Sequence, residues 1–151
     1  EKMQETGALL GGEFSGHIFF GERWYGFDDG MYAAGRLAEV ISTLGENLDD
    51  AIAKFSATSN TPEIIIPVAD DYKFELMDRI INNADFSSGK VTTLDGLRVD
   101  FNNGWGLVRA SNTGPALTAR FEGDTTEHLK KIQDEFRTQI AQIDSAIELN
   151  F

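Results

Sequence analysis

Cysteine is missing altogether, which excludes disulfides, thiolate-bound metals and a cysteine nucleophile. No run of about eighteen apolar residues occurs, so no segment qualifies as a membrane-spanning helix. No basic stretch followed by an apolar one marks a signal peptide. These absences make the cytoplasm the expected compartment. Basic charge is scarce as well: 13 Lys and Arg are dispersed among 25 Asp and Glu, for a formal net charge of −12. A nucleic-acid backbone is gripped by clustered Lys and Arg, so neither nucleic acid nor membrane is an expected partner. A single phosphate is a different matter, because one Arg and a few oriented amides can hold it. The GxGxxG, P-loop, HExxH and GxSxG signatures are absent. Asp95-Gly96 has no further carboxylates at calcium-loop spacing, and no metal site is expected on this chain. It opens at Glu1 rather than Met, and a processed or truncated start is the expectation.

What is present reads as two pieces. Apolar residues at 41% and charged ones at 25% suit a globular chain, and 151 residues suffice for one small domain and part of another. The first piece begins as strand, loop, strand, from Ala8-Leu9-Leu10 to His17-Ile18-Phe19-Phe20. Asp28 or Asp29 is placed to cap a helix over 30–44, with Met31, Ala34, Leu37, Ala38 and Ile41 as its apolar face. Gly45 ends it, and a short helix follows over 48–55. The stretch 56–62, small and polar and closed by Pro62, is linker chemistry. It divides the chain into 1–56 and 57–151.

The second piece opens with a strand over 63–68, whose Pro67 cannot donate to a ladder and so belongs at an edge. A helix starts at Asp70 or Asp71 and runs to Ala84, with Phe74, Met77 and Ile81 expected inward. Strands follow at 90–94, 97–101, 105–110 and 116–122. Asp95-Gly96 and Asn103-Gly104 are read as two-residue hairpin turns. Asp124 through Glu127 is read as a capping box for a helix carrying Leu129, Ile132, Phe136, Ile140 and Ile143 inward. The expected fold class is α+β: an antiparallel sheet flanked by helices, preceded by a partial α/β domain. The first 56 residues alone would be marginal as a folding unit.

Two loops carry candidate chemistry. Gly11-Gly12-Glu13-Phe14-Ser15-Gly16-His17 sits between the first two strands. Glu13 and Ser15, two apart, can point the same way and bind neighbouring hydroxyls, and His17 titrates near neutrality. The same residues would also serve an ordinary turn. Arg109-Ala110-Ser111-Asn112-Thr113-Gly114-Pro115 combines one guanidinium, two hydroxyls and one amide, with Gly114 expected to free the backbone. The Arg fork suits phosphate oxygens. A polar turn bonding its own backbone is the alternative. Trp24, Tyr25 and Phe27 are expected to pack a strand–helix corner, and His128 to face solvent.

The segment Gly12-Glu13-Phe14-Ser15-Gly16-His17, with Ile18-Phe19-Phe20, Arg23-Trp24 and Asp28-Asp29-Gly30, resembles the sugar-binding loop of the α-D-phosphohexomutase superfamily. Gly104-Trp105-Gly106-Leu107-Val108-Arg109-Ala110-Ser111-Asn112-Thr113 resembles the phosphate-binding loop in the C-terminal domain of the same superfamily. The two occur in the family's order, and the likeness spans almost the whole chain. The Arg-Ala-Ser-Asn-Thr spelling is similar to the bacterial phosphomannomutase/phosphoglucomutase branch. Phosphoglucosamine mutases favour a Gln between Glu and Ser and a Ser-Gly-Thr phosphate loop. Phe14 and Gly114 depart from the branch, which often has Met and a larger residue there.

The resemblance implies that 1–56 ends a third domain and that 57–151 forms a fourth, with a TATA-box-binding-protein-like sheet and helices. It implies an isomerase that shuttles a phosphoryl group between a serine and hexose 1- and 6-phosphates. Glu13 and Ser15 would grip sugar hydroxyls, while Arg109, Ser111, Asn112 and Thr113 hold the non-reacting phosphate. His17 would transfer or position a proton. The family's Thr-Ala-Ser-His-Asn-Pro-like serine loop and Asp-Gly-Asp-Gly-Asp-like magnesium loop do not occur in this sequence. Both, and with them Mg2+, are expected in upstream domains, the partners of this piece, which is expected to be inactive alone. Other readings are a stand-alone sugar-phosphate-binding module and a piece of a phosphoglucosamine mutase.

Overall fold

A computed structural model describes residues 2–13 and 15–151; Phe14, the departure from the family spelling, lies outside the described residues. The chain divides into two compact units, Glu1–Ser56 and Ala57–Phe151.

The first unit contains α1 (Lys2–Thr6), a hairpin of β1 (Leu10–Gly12) and β2 (Ile18–Phe20), then α2 (Gly30–Leu44) and α3 (Leu48–Ile52). Register is set by Leu10 opposite Phe20 and Gly12 opposite Ile18, leaving 13–17 as the hairpin loop. Of the two candidate caps, Asp29 is the one used: its Oδ1 accepts from the Tyr32 amide at 2.9 Å. Gly45 closes α2 in the left-handed region, with its amide on the Ile41 carbonyl.

The inward face of α2 is not the expected one. Met31 is 87% exposed and Leu37 47%. Tyr32 instead stacks on Trp24 at 4.2 Å and meets Phe20 edge-on at 5.4 Å. Arg36 lies over the Phe20 ring at 4.8 Å. Spacing of four puts Tyr32 and Arg36 on one face, and rings and guanidinium outcompete the aliphatic stripe for the hairpin. Arg23 and Arg36 share Glu22 and Glu39, and the Arg23 hydrogen bond holds the Glu39 carboxyl below its ordinary pKa. No described residue of this unit is buried.

The second unit is an antiparallel six-stranded sheet with helices on one face. It comprises β3 (Ser59–Asn60), β4 (Ile64–Pro67), α4 (Lys73–Asn83), β5 (Lys90–Thr92), β6 (Leu97–Phe101), β7 (Gly104–Ala110), β8 (Ala116–Gly123) and α5 (Thr126–Ile143). The order is β3-β8-β7-β6-β5, and β4 joins the same side of β8 as β3. Pro67 therefore sits on an edge, as its missing N–H requires. Period-2 alternation turns Leu97, Val99, Val108, Leu117, Ala119 and Phe121 toward the helices. There they meet Leu76, Met77 and Ile80 from α4 and Ile132, Phe136 and Ile140 from α5 in one buried cluster. Gly106 permits this packing, since a Cβ there would lie 2.8 Å from Phe136 Cζ and 3.0 Å from Phe121 Cδ1.

Five local expectations are corrected. In α4 the buried residues are Lys73, Leu76, Met77 and Ile80, while Phe74 is 57% exposed. The Phe74 ring covers the Lys73 ammonium, 5.1 Å from the ring centroid, instead of joining the core. The hairpin at Asp95-Gly96 is longer than two residues, running from Thr92 to Leu97. Gly96 is nevertheless required, with φ +80° and Arg109 Cβ 2.5 Å from where its own Cβ would be. The next turn is Asn102-Asn103, because Phe101 pairs directly with Gly104. Thr125, not Asp124, caps α5, accepting from the His128 amide at 3.2 Å. Glu127 pairs with Lys131 instead of closing a capping box, and His128 is half-buried with Nδ1 unpartnered.

Candidate functional site

In the second unit, β7 positions Arg109. Val108 faces the core and is fully buried, so alternation turns Arg109 to the opposite, helix-free face of the sheet. Its guanidinium, 41% exposed, donates from NH1 to Asp95 Oδ2 at 2.9 Å. The chain then turns over 111–115 before entering β8. Ser111 N–H donates to the Ala116 carbonyl and Ala116 N–H to the Gly114 carbonyl, both at 2.9 Å. Thr113 N–H donates to Ser111 Oγ at 3.3 Å, a hydroxyl-supported turn. Gly114 has an ordinary φ and open space around it, so the turn does not require glycine there. Asn112 and Thr113 are exposed. Among the described residues the Asn112 and Gly114 amides and the Asn112 side chain have no acceptor. The loop therefore carries free donors a few positions after the Arg109 guanidinium. That is the chemistry of an anion site.

Beneath this turn lies a cation that sequence reasoning missed. Lys73, at the start of α4, is only 4% exposed. Its ammonium donates to Asp70 Oδ1 at 2.7 Å and to the Gly114 carbonyl at 3.0 Å. The next carbonyl, of Pro115, accepts from Val68 N–H at 3.1 Å. Asp95, the Arg109 partner, was likewise read only as a turn residue. Apart from Asp70, three residues before Lys73, these contacts join residues distant in sequence, 41 positions for Lys73–Gly114 and 14 for Arg109–Asp95, which no local pattern identifies.

In the first unit, the 13–17 loop is closed by Glu13 N–H on the His17 carbonyl at 2.9 Å and Gly16 N–H on the Glu13 carbonyl at 3.0 Å. Ser15 Oγ donates to Glu13 Oε2 at 3.0 Å, which brings these two side chains together. His17 Nδ1 lies 2.6 Å from Asp28 Oδ2. An ionised carboxylate only accepts, so Nδ1 carries the proton and Nε2 is left for other partners. Asp28, one of the two residues read as helix caps, thus orients His17 instead. Glu13, Ser15 and His17 are all exposed. Among the described residues no three His, Asp or Glu side chains converge as a metal site. Among the described residues no helix is long and apolar enough to cross a membrane.

Comparison with known proteins gives family matches over both units. Residues 63–139 match the model of the phosphoglucomutase/phosphomannomutase C-terminal domain, and residues 1–58 that of the family's alpha/beta/alpha domain III. The chain belongs to the phosphoglucomutase/phosphomannomutase family. It is 50% identical over its whole length to phosphomannomutase/phosphoglucomutase from Pseudomonas putida, covering 33% of that protein. The Pseudomonas aeruginosa protein of the same name matches to the same extent. A phosphoglucomutase from Neisseria meningitidis is 44% identical over 140 residues, which cover 91% of this chain and 30% of that protein. A crystal structure of a family member from Burkholderia thailandensis superimposes with a TM-score of 0.86 at 38% identity, over 99% of this chain and 31% of that one. The chain thus spans about a third of the length of its relatives.

Proposed function

We propose that this chain is the C-terminal portion of a phosphomannomutase/phosphoglucomutase and contributes ligand grip rather than the phosphoryl-transferring serine. In the parent reaction, the phosphoserine gives its phosphoryl group to a hexose 1-phosphate, the bisphosphate turns round, and the other phosphate returns to the serine. Residues 1–56 would carry the sugar loop of domain III, and 57–151 would form domain IV. Arg109, Ser111, Asn112 and Thr113 bind the phosphate that is not reacting. Glu13 and Ser15 bind sugar hydroxyls, and His17, oriented by Asp28, positions or moves a proton through Nε2. Phosphoryl transfer is governed mainly by positioning and charge stabilisation, so such loops contribute without touching the serine. Mg2+ belongs, on this reading, to an upstream domain, and the cytoplasm is the compartment.

The observation that carries the proposal is the unpartnered Asn112 and Gly114 amides in the loop that follows Arg109. Affinity of the isolated chain will be low. One charged hydrogen bond contributes ~1.5–3 kcal/mol and three neutral ones ~1 kcal/mol each. Association costs at least ~4 kcal/mol, which leaves millimolar binding or weaker. An amide NMR titration with mannose 1-phosphate tests the site. Saturable shifts centred on Arg109–Thr113 and lost in Arg109→Ala are expected. Shifts centred elsewhere, or unchanged in the variant, would overturn the assignment.

A further inference from the structure

We propose that Lys73 is a positioning residue of the anion loop, a buried ammonium that holds the Gly114 carbonyl so that the 111–114 turn stays ordered for a phosphate. The inference rests on the phosphate reading of Arg109–Thr113. Burying an ammonium is costly unless it is paired and hydrogen-bonded. At 4% exposure, Lys73 meets that condition with three kinds of partner. They are the Asp70 carboxylate at 2.7 Å, the Gly114 carbonyl at 3.0 Å and the face of Phe74 at 5.1 Å. Asp70 is 74% exposed, so half of the pair remains in water and the ammonium is the group committed to the interior.

Packing alone does not explain the choice of a cation. Lys73 shares its face of α4 with Leu76, Met77 and Ile80, where an aliphatic side chain of similar length would fill the same space. What an aliphatic residue cannot do is bond Gly114. That carbonyl also accepts from Ala116 N–H at 2.9 Å, which itself follows the turn directly. The Lys73 and Val68 bonds, on successive carbonyls at 114 and 115, therefore tie the far arm of the loop to the β4–α4 segment. Arg109, at the end of β7, fixes the near arm. Between the two, Asn112 and Thr113 are exposed, and their order depends on these anchors. A loop ordered in advance spares the ligand the cost of ordering it, roughly 0.5–1.5 kcal/mol for each group immobilised.

Lys73→Met, which keeps length and removes charge and donor, separates this role from a purely structural one. Inorganic phosphate is the probe, followed by amide shifts of Arg109–Thr113, with hydrogen exchange at Ser111 and Ala116 measured in parallel. Saturable binding by the unaltered chain is expected, weakened about two- to tenfold in Lys73→Met. Faster exchange at Ser111 and Ala116 should accompany it, with the melting temperature held or raised. Lys73→Gln retains a donor for Gly114 and is expected to restore exchange protection more than affinity. It also serves as the test if Lys73→Met does not fold. Unchanged phosphate affinity in both variants, or unchanged exchange at Ser111 and Ala116, overturns the positioning role while leaving the phosphate site standing. Absence of saturable shifts in the unaltered chain overturns the phosphate reading, and with it the proposal.

Discussion

Asp95→Asn should make the loop bind phosphate more tightly, although it removes the ion-pair partner of Arg109. In the structure, the carboxylate occupies the guanidinium that a phosphate would need, donor to acceptor at 2.9 Å. Asp95 is 68% exposed and Arg109 41%, so the pair is solvent-screened. Such pairs contribute about 0–1 kcal/mol, and displacing one costs no more than that. A carboxylate left about 4 Å from a bound anion adds a further repulsion of ~1 kcal/mol in water. Together these predict a gain of roughly five- to thirtyfold at low salt. The gain should shrink toward the lower figure at 1 M salt, where the Debye length falls to about 3 Å. The assay is a phosphate titration of both chains followed by amide shifts, at low and high ionic strength. Equal or weaker binding by Asp95→Asn would refute the competition argument. It would mean that Asp95 instead holds the guanidinium in the geometry phosphate requires.

Two further predictions concern the scaffold of the second unit. Gly106→Ala places a methyl 2.8 Å from Phe136 Cζ and 3.0 Å from Phe121 Cδ1. It should destabilise the unit by about 1–3 kcal/mol, read as a drop in thermal midpoint of roughly 4–8 °C per kcal/mol. The Asp144 carboxyl is held below its ordinary pKa chiefly by the Tyr72 hydroxyl at 2.6 Å, then by the Ala146 amide, with Arg79 adding charge. A carboxyl depressed in the folded state contributes stability that is fully present above its unfolded pKa. That contribution is lost as pH falls through the folded value. Melting temperature should therefore fall on acidification below the ordinary carboxylate range, and Asp144→Asn should flatten that part of the profile. An unchanged profile in the variant would remove Asp144 from the account.

Much of the architecture was legible because it rests on local periodicity. Alternation along β6, β7 and β8 identifies which residues face the helices, and three- and four-residue spacing identifies the inward face of α5. Reading α4 the same way failed at Phe74, which lies exposed over the adjacent Lys73 ammonium while the contact that buries Lys73, to Gly114, is tertiary. In α2, spacing nominated an aliphatic stripe, yet Trp24 and Phe20 reach the helix through Tyr32 and Arg36. A periodic pattern shows which faces a helix has, not which neighbour arrives at them.

The candidate site divides along the same line. By itself, the sequence determined its chemical vocabulary, with Glu13, Ser15 and His17 in one loop and Arg109 through Thr113 in another. It also excluded disulfides and thiolate ligands, since cysteine is absent. Only the tertiary structure decided the partners of those residues. Asp28 leaves helix capping to Asp29 and takes His17, Asp95 takes Arg109, and Lys73 reaches Gly114 across 41 positions. The physical reason is range. Turn and strand preferences are settled within a few residues, whereas a hydrogen bond between distant segments exists only once the sheet and helices have brought its two ends within about 3 Å.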